Sequence, residues 1–139
     1  MGFGIITSMP TTARIEPVTQ TLLVTYSGWI TDDDLLRSYD QVRSLPGFDP
    51  DGRELVDFSA VEGGEVTSAG VGKLLGRPPL FGQGARRAIV APTDVAFGMA
   101  RMFELRRLEE CGEIVVFRTR REALEWLGIP DDSPLGEAT

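Results

Sequence analysis

Short apolar runs alternate along this chain with amphipathic stretches, and the alternation predicts the elements in order. Thr21 to Ser27 (TLLVTYS) is rich in β-branched and aromatic residues and ends at Gly28, which predicts a strand paired antiparallel with a weaker one around Ala13 to Pro17. Thr31 caps the next helix. Asp34, three positions on, completes a capping box, and the run Asp32 to Asp34 sits at the positive end of the helix dipole. Leu35, Tyr39 and Val42 recur at helical spacing until Pro46-Gly47 stops the helix after about Ser44.

Glu54 to Phe58 reads as a short buried strand, followed by a Gly-rich turn and a helix from about Ser68 to Leu75. Ala88 to Ala91, preceded by Arg86 and Arg87, is the next strand. Pro92-Thr93-Asp94 opens the longest helix, expected to run to Glu110 and end at Gly112. A last strand, Glu113 to Phe117, leads to a helix that Thr119 and Glu122 cap and Gly128 closes. Strands alternating with helices, and reading as continuous apolar runs mid-chain, predict a single α/β domain. Its sheet is expected to be mostly parallel, with about five strands, an antiparallel edge and about four flanking helices. The domain is expected over residues 13–128, with 1–12 a flexible extension, Met9 an alternative start and 129–139 a disordered tail.

A helical wheel of the longest helix, at about 100° per residue, puts Val95, Ala96, Met99, Ala100, Met102 and Phe103 on one broad face, expected to pack on the sheet. Phe97 and Leu108 fall on the opposite side near Arg101 and Glu104, a second apolar stripe that suits a partner, a ligand or a dimer contact, or else is covered by another element of the same domain. Gly98 inside the helix costs roughly 1 kcal/mol relative to alanine and implies a close approach on that face.

Charge and composition narrow the chemistry. The 139 residues carry a net charge of −7, which argues against general binding to nucleic acid or anionic membrane. Residues 1–70 hold 11 acidic and 4 basic side chains and residues 71–139 hold 10 of each, so the excess lies in the first half. Histidine is absent, which removes Ser-His-Asp and Cys-His catalysis and His-ligated metal. The one cysteine, Cys111, excludes an intramolecular disulfide and reads as a small buried hydrophobe. With no cationic leader and no run of ~20 apolar residues, the chain is expected to be cytoplasmic without integral membrane association. Gly70, Gly72, Gly76, Gly82 and Gly84 match no phosphate-loop spacing and suit close helix packing. Asp57, Glu62 and Glu65 lack ligand spacing for a metal, and no cofactor is expected.

The segment Leu55 to Arg77 (LVDFSAVEGGEVTSAGVGKLLGR) resembles the signature of the STAS domains, the family of bacterial anti-sigma-factor antagonists. Their pattern is a strand ending in Asp-hydrophobic-Ser, here Asp57-Phe58-Ser59, then a loop and a Ser-Ser-Gly helix start, here Ser68-Ala69-Gly70. APTDVAFGMARMFE and VFRTRREALEWLG look like the SpoIIAA-like proteins of STAS and SEC14-like type, a group mostly of unassigned function; the resemblance covers roughly Leu22 to Gly128. The chain departs from the antagonists at Ala69, which stands where their phosphorylated serine would be, and in Glu62 to Glu65, which looks like a loop insertion.

The resemblance implies a non-enzymatic regulatory or interaction module working through a protein partner. Its switch loop would hold Asp57, Ser59, Thr67 and Ser68, with Ser68 either a phosphoacceptor or simply the helix cap. The partner or ligand surface would use Phe81, Phe97, Met99, Arg101, Met102 and Leu108, and a homodimer is one outcome. The alternative is a small apolar ligand or lipid module of SEC14-like type, its pocket under Pro78 to Phe81 and walled by Phe97, Met99 and Met102. An enzyme using Asp57 or Glu65 ranks third.

Overall fold

The computed structural model describes residues 5–8, 11–107 and 112–130. In chain order the elements are β1 (Ile5–Ser8), β2 (Thr11–Glu16), β3 (Thr21–Thr31), α1 (Asp32–Val42), β4 (Arg53–Glu65), α2 (Ser68–Leu75), β5 (Arg86–Val90), α3 (Asp94–Arg107), β6 (Glu113–Phe117) and α4 (Arg120–Leu127). The strands lie side by side in sequence order, with β1, β2 and β3 antiparallel and β3 to β6 parallel. The mixed α/β domain therefore matches expectation, with one strand more than the five predicted. That strand is β1, inside the segment 1–12 read from sequence as an extension; it pairs with β2 from Ile5↔Arg14 to Ser8↔Thr11.

A monotonic strand order has a consequence for the layers. Successive parallel crossovers share one hand, so helices that connect neighbouring strands in the same direction fall on the same face. Here α1, α2 and α3 cover one face and α4, which follows the last strand, covers the other. Period-two alternation divides the strands accordingly. Leu22, Val24 and Tyr26 of β3, Val56 of β4 and Ile89 of β5 face the three helices. Leu23, Leu55, Ala88 and Val90 face α4, where Ala123, Leu124 and Leu127 close a second apolar core. Each fully buried leucine of that core stabilises by about 2 kcal/mol.

Helix starts behave as the sequence implies. Thr31 accepts from the Asp34 amide and its own amide donates to the Asp34 carboxylate at 2.8 Å, the reciprocal capping box. Thr119 accepts from the Glu122 amide at 3.2 Å, and Gly128 ends α4 in the left-handed conformation with φ 75°.

Two differences matter. First, β4 does not stop at Phe58. It runs to Glu65, its second half pairing with β3 alone, while its pairing with β5 ends at Asp57↔Val90. The glycines read as a turn serve close approach instead: a Cβ on Gly64 would collide with the backbone carbonyl of Ile30, and Gly63 lies under the Trp29 ring. Second, α3 buries Ala100, Phe103, Glu104 and Arg107, while Val95 is 74% exposed. The wheel placed Val95 in the core, but two polar residues take the buried stripe because each finds a partner. Glu104 pairs with Arg101 at 2.8 Å, and Arg107 donates to the carbonyls of Leu74 and Arg77 at the end of α2. Phe97 is not an exposed stripe, since the Arg118 guanidinium stacks on its ring at 4.2 Å. Leu108 and Cys111 lie outside the described residues.

Candidate functional site

Between the sheet and the three-helix layer lies a cavity of about 420 Å³. It exists because α2 makes its packing contacts with α1 and α3 and stands off the sheet. The floor is sheet: Tyr26, Glu54, Val56, Phe58, Arg87 and Ile89. The helices contribute Tyr39, Val71, Leu74, Met99 and Phe103, and the segment before β5 contributes Leu80 and Phe81. The exposed wall residues, Glu62, Gly64, Thr93 and Val95, all lie where β4 and β5 give way to α2 and α3, so the cavity opens at the carboxyl ends of the central strands. That is where open parallel sheets present ligand crevices. Val56 and Phe58 stay only half-buried, although they sit on a central strand facing the core layer, because the cavity reaches them.

The apolar wall contains a buried ion pair. Glu54 and Arg87 are direct partners on β4 and β5, and Arg87 Nε donates to Glu54 Oε1 at 2.8 Å. Their residues are 4% and 6% exposed. The Arg87 guanidinium also stacks on the Phe81 ring at 4.1 Å, and Phe81 meets Phe48 edge-on. Charges buried on a central sheet face carry a desolvation cost of several kcal/mol per ion, so their presence where valine would serve marks the site. A sequence reading that stops at strand identity misses both residues. Counting in twos from Val56 and Ile89 would have placed them on the same face.

Besides Thr93 at the mouth, three hydroxyls meet the cavity, those of Tyr26, Ser38 and Tyr39. Tyr26 hydrogen-bonds Ser38, and Ser38 donates onward to the Leu35 carbonyl at 3.0 Å. Burial pushes the Tyr26 phenol well above its ordinary value, with Glu54 and Asp34 adding to the rise and the Ser38 bond opposing it, so it stays neutral. Phe58 stacks flat on Tyr26 at 4.8 Å. Tyr39 donates to the Pro78 carbonyl at 2.8 Å and so pins the double-proline segment over the cavity.

The residues named from sequence fall in several places. Phe81 and Met99 line the cavity; Phe97 and Met102 pack against the core outside it. Arg101 is exposed and paired with Glu104. Asp57 faces α4, on the side of the sheet away from the cavity: Arg120 donates to it at 2.7 Å and the Ser59 amide at 2.8 Å. The nine residues of strand from Asp57 to Glu65 span on the order of 25 Å, so Asp57 and Ser59 share no loop with Thr67 and Ser68.

Thr67, not Ser68, is the cap of α2: its hydroxyl accepts from the Gly70 amide at 2.9 Å and donates to the Asp32 carboxylate at 2.7 Å. Asp32 also accepts from the Thr67 amide at 2.8 Å. The anion-binding end of α2 is thus already occupied by a carboxylate of the chain itself. Ser68 and Ala69 are exposed first-turn residues.

Among the described residues no cluster of three or more Asp, Glu or Cys is arranged to hold a metal ion, and no helix is long and apolar enough to cross a membrane.

No protein-family model matches the chain, and no curated protein matches it. Among solved structures it is similar to an uncharacterised protein of the DUF3478 family with a SpoIIAA-like fold from Shewanella loihica PV-4. That likeness has 23% identity over 91% of this chain and 92% of that one, at a TM-score of 0.49. It is also similar to the anti-sigma factor antagonist SpoIIAA in its unphosphorylated form, with 15% identity over 91% of this chain and 98% of that one, at a TM-score of 0.44.

Proposed function

We propose that this domain is a non-enzymatic binding module that takes up one small, mainly apolar molecule between the sheet and α1 to α3. The observation that carries the reading is the 420 Å³ cavity itself. It falls within the about 300–1,000 Å³ of small-molecule sites and combines an apolar wall with a few buried polar groups, as such sites do. Its mouth, at the carboxyl ends of the parallel strands, gives a ligand a route in. Phe81 and Met99, named from sequence as ligand-surface residues, line the wall.

Native mass spectrometry of protein purified gently from cells tests this directly. A bound mass of a few hundred daltons that denaturation removes is the expected result. Val56→Phe, which projects a ring into the cavity from β4, should lose that adduct and melt at or above the wild-type temperature. Retention of the same adduct by Val56→Phe would place the ligand elsewhere and overturn the reading.

A protein-interaction role, which the resemblance to STAS domains implies, is favoured by one further observation. Val95, 74% exposed, and Trp29, 61% exposed, stand beside the mouth on α3 and on the β3–β4 ribbon. A partner docking over the mouth would cover both, and Trp29→Ser with Val95→Ser should then abolish partner capture while leaving the fold intact.

A further inference from the structure

The cavity favours one hydrogen-bonding sense, because its buried tyrosine and serine hydroxyls spend their protons within the protein and meet the cavity as acceptors. The Ser38 proton goes to the Leu35 carbonyl, so Tyr26 must be the donor in its contact with Ser38; the lone pairs of the Tyr26 oxygen are what remain. The Tyr39 proton goes to the Pro78 carbonyl. At the mouth, the Thr93 hydroxyl accepts from the Ala96 amide. Glu54 spends Oε1 on Arg87 Nε, and Arg87 is its bonded partner among the described residues. Glu54 lines the cavity, and its second carboxylate oxygen accepts from no described residue. Arg87 cannot serve as an anion receptor here without competing with Glu54, which already neutralises it at 2.8 Å.

Resting on the cavity reading above, we propose that the ligand is an uncharged apolar molecule bearing a hydrogen-bond donor, an alcohol or phenol, that donates its O–H to the free oxygen of Glu54, and that the matching carboxylate is excluded. A carboxylate brought to this floor would lose its hydration and meet a second carboxylate and hydroxyl lone pairs. An O–H finds a ready acceptor whose charge the protein has already balanced. The site therefore selects against fatty-acid-like anions although its wall is apolar enough to hold their tails.

The cavity corresponds to the share of roughly fourteen waters at ~30 Å³ each, which suits a probe of about eleven non-hydrogen atoms. Three such probes differ in one group: para-butylphenol, butylbenzene and para-butylbenzoate, titrated calorimetrically into the full chain near neutral pH. The phenol should bind about tenfold tighter than butylbenzene and at least tenfold tighter than the benzoate. Glu54→Gln, checked for folding by its melt, removes the negative partner of Arg87 and should narrow or reverse the phenol-over-benzoate preference. Benzoate binding as tightly as the phenol to the wild type, or butylbenzene doing so, overturns the donor rule while leaving the cavity reading standing. Failure of all three probes to bind overturns both. The wild-type comparison decides the matter even if Glu54→Gln does not fold.

Discussion

Replacing Glu54 with leucine removes one side of an ion pair whose side chains are 6% and 7% exposed, and leaves the Arg87 guanidinium on Phe81 without its carboxylate. Breaking a buried pair from one side costs about 3–5 kcal/mol, because the surviving charge stays desolvated. For a chain of this size each kcal/mol moves the melting temperature by roughly 4 °C, so Glu54→Leu should melt roughly 12–20 °C below wild type. The double variant Glu54→Leu with Arg87→Met removes both charges and keeps most of the volume. It loses the cation–π contact, worth about 1–2 kcal/mol in a desolvated setting, but recovers both desolvation penalties. Its stability should return to within about 2 kcal/mol of wild type, which makes the coupling energy in the cycle at least about 2 kcal/mol. Urea unfolding followed by circular dichroism measures all four corners, and an unchanged m-value would show that only stability moved. A loss under about 1 kcal/mol for Glu54→Leu alone would refute the reasoning, since it would mean that water already solvates Arg87 through the cavity.

Two further perturbations test the frame around the site. Gly64→Ala drives a Cβ into the Ile30 carbonyl and should cost about 1–3 kcal/mol, with lost amide protection along Trp29 to Thr31 in hydrogen exchange; unchanged protection there would count against the close β3–β4 pairing. Burial raises the pKa of Glu16, but the Thr19 hydroxyl, the Val18 and Thr19 amides and Arg14 together outweigh it and hold the carboxyl below its ordinary 4.5. That stability is present above the unfolded value and lost as pH falls through the lower folded one. Glu16→Gln should therefore be less stable than wild type by on the order of 1–2 kcal/mol at neutral pH, with the gap closing in acid; a gap independent of pH would show that the carboxylate charge is irrelevant.

Much of the fold was legible because its signals are local. The capping residues Thr31 and Thr119, the stop at Gly128 and the apolar strand runs act within a few residues of themselves, so reading them needs no knowledge of distant contacts. The errors came where a local signal was ambiguous and a distant neighbour resolved it. Glycines after Phe58 suit a turn until Ile30 and Trp29 lie against them, and then they suit a strand. Phe97 looks like an exposed stripe until Arg118, more than twenty residues on, covers it. Thr67 rather than Ser68 caps α2 because Asp32, on another helix, holds the Thr67 hydroxyl and amide in place.

The sequence by itself determined the alternation of strands and helices, hence the α/β class, and the exclusion of histidine chemistry. Periodicity and capping are properties of neighbouring residues and survive without a fold. Phe81 and Met99 were named from the sequence, but the polar heart of the site was decided by tertiary structure. Glu54 and Arg87 are far apart in the chain and become partners only through the β4–β5 register, and the cavity they share is a volume left when α2 rests on α1 and α3 instead of on the sheet. Register and empty space are relations between elements, so no single stretch of sequence contains them.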